Sequence, residues 1–180
     1  MHSNNIFFKN GADKFRIFSL HDIKTYINKY GEVRFIDTIK KVTKEIRGAE
    51  LNIVYDRKYV EDVHIDDDND FWKACKHECK VAAEILKKDK CSRQAVVDFM
   101  TISPVKLPSC FVCAQFFVSN DNIDMFVYMR SCDALKKLES DLARYCIMNN
   151  VVADYLELKP RNITIYIGSL HIYVEDMLKQ

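Results

Sequence analysis

Apolar residues recur at three- and four-residue spacing over Leu20 to Tyr30 and again over Arg34 to Ile46, which predicts two helices. Leu51 to Tyr55 is a short β-like run. From Asp70, a residue type suited to capping a helix, Phe71, Ala74, Cys75, Cys79, Ala82, Ala83 and Leu86 share one helical face, and the stretch ends in lysines at 87 to 90. The second half changes period. Residues 95–102, 110–118, 123–129 and 163–174 are β-branched or aromatic runs, the middle two joined by the turn-forming Ser119 to Asn122. Between the last two, residues 133–156 predict a helix with Leu135, Leu138, Leu142, Tyr145, Cys146 and Asn149 along one side. Asp133, Lys137, Ser140 and Arg144 run along the other side, with Asp141 at the boundary. The expected fold class is α+β: one domain, with a bent, mostly antiparallel or mixed sheet packed by helices.

Composition sharpens this. A chain of 180 residues with 48% apolar content can build one real core but not two comfortable ones. Its 27 basic and 26 acidic residues nearly cancel, so no global field draws it to nucleic acid or to an anionic membrane; any anion must be held locally. No apolar run approaches the roughly 20 residues a bilayer span needs, and Met1 to Lys9 lacks signal-peptide order, so a cytoplasmic location is expected. Seven cysteines without framework spacing then read as free thiols.

Several clusters have ordinary explanations. Cys75 and Cys79 share a helical face while His77 points away, which is core packing rather than a metal site. The acidic run Asp66 to Asp70 resembles the start of a calcium loop, but Phe71 stands where glycine is required and His77 where a bidentate glutamate is required. Lysines and arginine at 87 to 93 read as a solvated helix end. Cys110 and Arg130 are different. Cys110 opens a strand after Leu107, Pro108 and Ser109; it is either a packed thiol or, beside a guanidinium, a soft nucleophile. Arg130 leaves the adjoining strand, and with Ser131 at the opening of a helix it makes an anion site; a surface arginine is the alternative.

Taken together, these residues resemble the thymidylate synthase superfamily, which includes the deoxycytidylate hydroxymethylases. Pro108, Cys110, Gln115 and Phe116 match its nucleophile strand, Arg130-Ser131-Cys132-Asp133 its Arg-Ser-x-Asp phosphate motif, and His171-Ile172-Tyr173 its His-x-Tyr sugar motif. The intervals fit as well: twenty residues from Cys110 to Arg130, eleven to Asp141 and thirty to His171. Ser92-Arg93-Gln94 resembles the segment that reaches a neighbouring subunit's phosphate site, and the likeness runs from Phe71 to Asp176, leaving residues 1–70 divergent.

The resemblance implies a thymidylate synthase-like homodimer acting on a pyrimidine nucleotide monophosphate, with 5,10-methylenetetrahydrofolate as cofactor. Cys110 would be catalytic, attacking C6 of the base. Arg130 and Ser131, with Arg93 of the partner subunit, would hold the phosphate, and His171 and Tyr173 the sugar. Asp141 would read the base, and Asp133 would face the cofactor. At the position of Asp141 the thymidylate synthases carry asparagine and the deoxycytidylate hydroxymethylases aspartate. An amide suits uracil N3–H and O4, whereas a protonated carboxyl suits the reversed pattern of cytosine. The expectation is therefore dCMP hydroxymethylation, with dUMP methylation or a non-catalytic nucleotide-binding homologue as alternatives. Some motifs depart: residues 136–141 replace Leu-Gly-x-Pro-Phe-Asn, Phe111 replaces the histidine beside the nucleophile, no Tyr-Gly-x-x-Trp precedes the arginine segment, and the chain stops at Gln180 without the family's closing tail. Glu45 is the candidate for the family's catalytic glutamate.

Overall fold

The computed structural model describes residues 6–10, 13–17, 20–55, 70–98 and 110–178. In chain order they form β1 (Ile6–Asn10), β2 (Asp13–Ile17), α1 (Leu20–Tyr30), β3 (Glu32–Ile36), β4 (Lys41–Val54), α2 (Asp70–Lys88), β5 (Val96–Asp98), β6 (Phe111–Ser119), β7 (Asn122–Asp133), α3 (Leu138–Tyr155), β8 (Lys159–Tyr173) and α4 (Val174–Met177). One mixed sheet has the order β2-β1-β4-β8-β7-β6-β5, with β3 beside β4. The β7–β8 pair is parallel and every other pair is antiparallel. A parallel pair requires a crossover, and α3 supplies it. The fold is α+β, as the sequence predicts.

The inward row of the sheet, including Leu51, Ile53, Phe116, Met125, Val127, Ile163 and Ile165, packs with Cys79, Ala83 and Leu86 of α2 and Leu142, Cys146 and Val152 of α3 in one buried cluster. Each of the larger side chains contributes about 1.5–3 kcal/mol by leaving water. Cys75 and Cys79 lie in this cluster while His77 is exposed, in agreement with the packing reading.

Two expectations fail for local reasons. Residues 34–46 are not a helix but the hairpin of β3 and β4, turned at 37–40 with Lys40 at φ 52°. Two strands across a tight turn leave apolar residues at 36, 39, 42 and 46, which imitates a helical stripe. The predicted helix over 133–156 starts only at Leu138. Residues 130–133 stay in β7, where Ser131, Cys132 and Asp133 pair with Ser169, Leu170 and His171 of β8. The Asp133 carboxylate then accepts from the main-chain N–H groups of Leu135 (2.9 Å) and Lys136 (3.1 Å), fixing a turn ahead of the helix. Arg130 and Ser131 are therefore at a strand end and not at a helix N-terminus. Leu51–Val54 is the end of the long β4, β5 carries residues 96–98 of the predicted strand, and 99–102 lie outside the described residues, as do Leu107, Pro108, Ser109 and Asp66 to Asn69.

The sheet bends at one level. On β4, β8 and β7 the buried apolar set is odd-numbered on one side of Gly48, Gly168 and Arg130 (Ala49, Leu51; Ile165, Ile167; Val127, Met129) and even-numbered on the other (Ile46; Leu170, Ile172; Cys132). Gly48 takes a left-handed φ of 66°, and Gly168 passes so close to the Arg130 main chain that a Cβ would lie 2.7 Å from its carbonyl oxygen. Beyond this line the strands border a cavity.

Candidate active site

The cavity has a volume of about 940 Å³. It is bordered by β7 and β8 residues beyond the bend, by Thr43 and Glu45 of β4, by the β3–β4 hairpin and by the first turns of α3. Cys110, Arg130, Ser131, Asp133, Asp141, His171 and Tyr173 all line it, although they come from separate stretches of the sequence. Arg93 does not. It is exposed beyond α2, its carbonyl accepting from the Gln115 amide at 2.8 Å.

Cys110 is exposed, so its thiol faces the cavity rather than the core. Strand pairing sets it against the arginine: the Arg130 amide donates to the Cys110 carbonyl at 2.9 Å, and the Ser131 hydroxyl donates to the Cys110 sulfur at 3.5 Å. The sequence left their register open; the β6–β7 ladder closes it. The remaining cavity thiols are of another kind, since burial pushes Cys75 up to about 12 and Cys132 further.

On the opposite wall Asp141 is largely buried, and Arg144 Nη1 donates to its Oδ1 at 3.0 Å. Burial pushes the Asp141 carboxyl above the usual range, opposed by Arg144 and Lys137. Tyr145, buried against Phe111 with ring centroids 5.4 Å apart, closes the floor, and burial holds its phenol well above its ordinary value. His171 and Tyr173 stack edge to face at 5.2 Å, and Lys41 and Lys136 lie 5.1 and 5.7 Å above the Tyr173 ring. His171 Nδ1 is 3.4 Å from the Ser169 carbonyl oxygen.

Glu45 is 7% exposed, lines the same cavity and pairs across β4–β8 with His171. Its Oε1 accepts from Arg47 Nε at 2.8 Å and its Oε2 from the Ser169 hydroxyl at 2.8 Å, with Arg34 Nε 3.9 Å away. Burial pushes this carboxyl up, but the two hydrogen bonds and the two guanidinium charges outweigh it and hold the group below its usual value. Sequence reasoning missed Arg144 and Lys137 as cavity residues because it assigned them to a solvated helix face; the charge pair at i, i+3 with Asp141 was the available signal. Trp72, Ile36 and Ile39 complete an apolar wall. Among the described residues no cluster of His, Cys, Asp or Glu could hold a metal ion, and no helix is long and apolar enough to cross a membrane.

Fold and cavity define an α+β protein in which an exposed thiol, a guanidinium and a buried carboxylate share one pocket at the edge of a bent mixed sheet. A family model described as thymidylate synthase matches residues 76–179, and the chain belongs to the thymidylate synthase family. Similar proteins include a thymidylate synthase of Buchnera aphidicola, 32% identical over 91 residues (49% of this chain, 34% of the relative). Another is the thymidylate synthase of Mycoplasma mobile, 30% identical over 99 residues (53% of this chain, 34% of the relative). A third is the bifunctional dihydrofolate reductase-thymidylate synthase of Paramecium tetraurelia, 29% identical over 107 residues (56% of this chain, 23% of the relative). The chain thus spans about a third or less of the length of these curated relatives.

Proposed function

We propose that the chain binds a pyrimidine deoxynucleoside monophosphate in this cavity and transfers a one-carbon unit to C5 of the base, with dUMP methylation as the first reading. The observation that carries it is the shared pocket of Cys110, Arg130, Asp141, His171 and Tyr173, with the Ser131 hydroxyl on the Cys110 sulfur. Relatives bearing the name thymidylate synthase favour the uracil nucleotide.

In this reading the sulfur of Cys110 adds to C6 of the ring, and the displaced π pair moves through C5 onto O4, leaving C5 nucleophilic. Arg130 and Ser131 hold the phosphate, the guanidinium by paired N–H donors. His171 and Tyr173 bond the sugar hydroxyl, and Asp141 meets the base edge. Glu45, ionised and oriented by Arg47 and Ser169, is the carboxylate that relays protons to and from the base through water. The apolar wall of Ile36, Ile39 and Trp72 fits a planar ring. Bound there, methylenetetrahydrofolate would supply the one-carbon unit and, for the methyl product, the hydride that reduces it, leaving as dihydrofolate. Asp133, committed to its own turn, would meet it only at the cavity edge.

Association with a second copy belongs to the same proposal. Phe126, Tyr128 and Tyr166 are 39%, 46% and 43% exposed on the sheet face opposite α2 and α3, an aromatic patch of the kind that pairs. Gln115, which anchors the Arg93 carbonyl, is on that face, opposite Phe126 in the ladder. Arg93 would serve the partner's phosphate rather than its own cavity.

A second reading, dCMP hydroxymethylation, is favoured by Asp141, since a buried carboxyl raised toward protonation suits cytosine. Incubation with dUMP or dCMP and methylenetetrahydrofolate, followed by mass analysis, decides between the two. Growth of dUMP by a methyl group is expected, with Cys110→Ser abolishing turnover and leaving nucleotide affinity within about threefold, because the sulfur acts only in the covalent step. Binding of nucleotide without turnover would reduce the protein to a non-catalytic binder, and failure to bind either nucleotide would remove the proposal.

A further inference from the structure

We infer that Arg144 is the second half of the base reader: with Asp141 it forms an ionised acceptor–donor pair that replaces a single amide and selects uracil. The inference rests on the reading of the cavity as a pyrimidine nucleotide site.

The 3,4-edge of uracil offers one donor, N3–H, and one acceptor, O4. An amide answers both from one side chain, whereas a lone carboxylate offers acceptors only and sets negative charge against O4. That mismatch is what made Asp141 look like a cytosine reader. In the structure Asp141 is not alone. Arg144, one helical turn further along α3, lines the same cavity and donates Nη1–H to Asp141 Oδ1 at 3.0 Å. The pair is asymmetric in exposure, with Asp141 at 15% and Arg144 at 46%, so the guanidinium keeps N–H groups beyond the one it spends on Asp141. The carboxylate then accepts N3–H and the guanidinium donates to O4, two functions on two side chains.

Charge around the carboxylate favours this division of labour. Facing Asp141 are Arg144 from α3, Lys137 at the start of α3, Cys132 from β7 with its sulfur 3.9 Å from Oδ2, and the buried Tyr145. Burial is the larger influence and raises the carboxyl above its usual range; both cations oppose it, and the ion pair with Arg144 is the geometry that sets the acceptor beside the donor. A neutral carboxyl would have to give up the ion pair to form; the charged pair needs no proton uptake when a uracil binds. The ratio of dUMP to dCMP affinity, in which the titration of the shared phosphate cancels, should then be flat with pH, where a protonated reader would lose cytosine affinity as pH rises.

The test is the dissociation constant of dUMP and of dCMP for the full chain, by calorimetry at pH 6, 7 and 8. The wild type should prefer dUMP by at least about tenfold, the scale of one net hydrogen bond, with no pH trend in the dUMP to dCMP ratio. Arg144→Gln should weaken dUMP by about tenfold and bring out dCMP binding that tightens from pH 8 to pH 6. The double variant Asp141→Asn with Arg144→Gln should recover dUMP affinity, since the amide carries both functions, and a merely structural arginine would not be rescued this way. An unchanged dUMP to dCMP ratio in Arg144→Gln, or a wild type that prefers dCMP with acid-dependent affinity, overturns the inference while the nucleotide site stands. Absence of binding by the wild type to either nucleotide overturns both.

Discussion

Replacing Gly168 with alanine tests whether the approach of β8 to β7 sets the position of Arg130. A Cβ at 168 would lie 2.7 Å from the Arg130 carbonyl oxygen, and the obstruction is main chain that cannot swing aside. Relief requires the strands to part by roughly 0.8 Å, since non-bonded heavy atoms settle near 3.5 Å. Overpacking of this sort costs about 1–3 kcal/mol. For a chain of 180 residues each kcal/mol lowers Tm by about 2–4 °C, so a fall of about 2–12 °C is expected. The same shift moves the guanidinium that holds phosphate. A misplacement of 1 Å costs on the order of a hundredfold, so a shift of this size should weaken dUMP by roughly tenfold to fortyfold. Gly48→Ala is the comparison: nothing lies within 4 Å of its Cβ, but its φ of 66° is unfavourable for alanine, at about 1–2 kcal/mol. It should lower Tm without changing affinity by more than about twofold. Melting by circular dichroism and calorimetric titration with dUMP supply both numbers. If Gly168→Ala binds dUMP as the wild type does while melting lower, the bend does not position the arginine.

Two further outcomes follow from the thiols and from Glu45. Iodoacetamide at pH 8 should alkylate the exposed Cys91 and Cys110 ahead of Cys75, which burial pushes up to about 12, and dUMP should protect Cys110 alone; peptide mass mapping reads both, and equal protection of Cys91 would count against the site. Glu45 has its folded value held below the ordinary 4.5, so its stabilising contribution is complete above that pH and disappears as pH falls through the lower folded value. Glu45→Gln should therefore lower Tm at pH 7 by a few degrees, about 1–2 kcal/mol for hydrogen bonds to a buried charge, with the difference from wild type closing below about pH 4 in a melting series. A difference that persists unchanged to pH 3 would contradict the assignment.

The sequence made α1, α2 and the β6–β7 hairpin legible because each has one period and an uncontested boundary: the stripe of Cys75, Cys79 and Leu86, or the turn between Ser119 and Asn122, where Asn120 takes a left-handed φ of 54°. The hairpin at 32–54 was misread because Ile36, Ile39, Val42 and Ile46 satisfy a helical spacing that arises from two strands and a turn. The start of α3 was misread because strand pairing to β8 outcompetes helix propensity at Ser131 and Asp133. The cavity residues were found by motif and spacing, yet the partner of Asp141 was not: which neighbour a helical carboxylate engages depends on what faces it across the pocket, and Arg144 reads as a surface cation until the wall is assembled. Glu45 was similarly ambiguous, since its burial depends on Ser169 meeting it across the sheet, with Arg47 of its own strand beside it.

Parallel neighbours cannot be joined by a tight turn, so the chain leaves the sheet after Asp133, returns as α3 and re-enters at Lys159. Arg130, Asp141 and His171 consequently ride one continuous loop of chain, and their spacing is inherited from covalent length and helix pitch rather than from docking of remote parts. Exchanging side chains along the first two turns of α3 could retarget the pocket to a different heterocycle while the grip on its charged tail stays as it is, a modular route to new chemistry on an old scaffold.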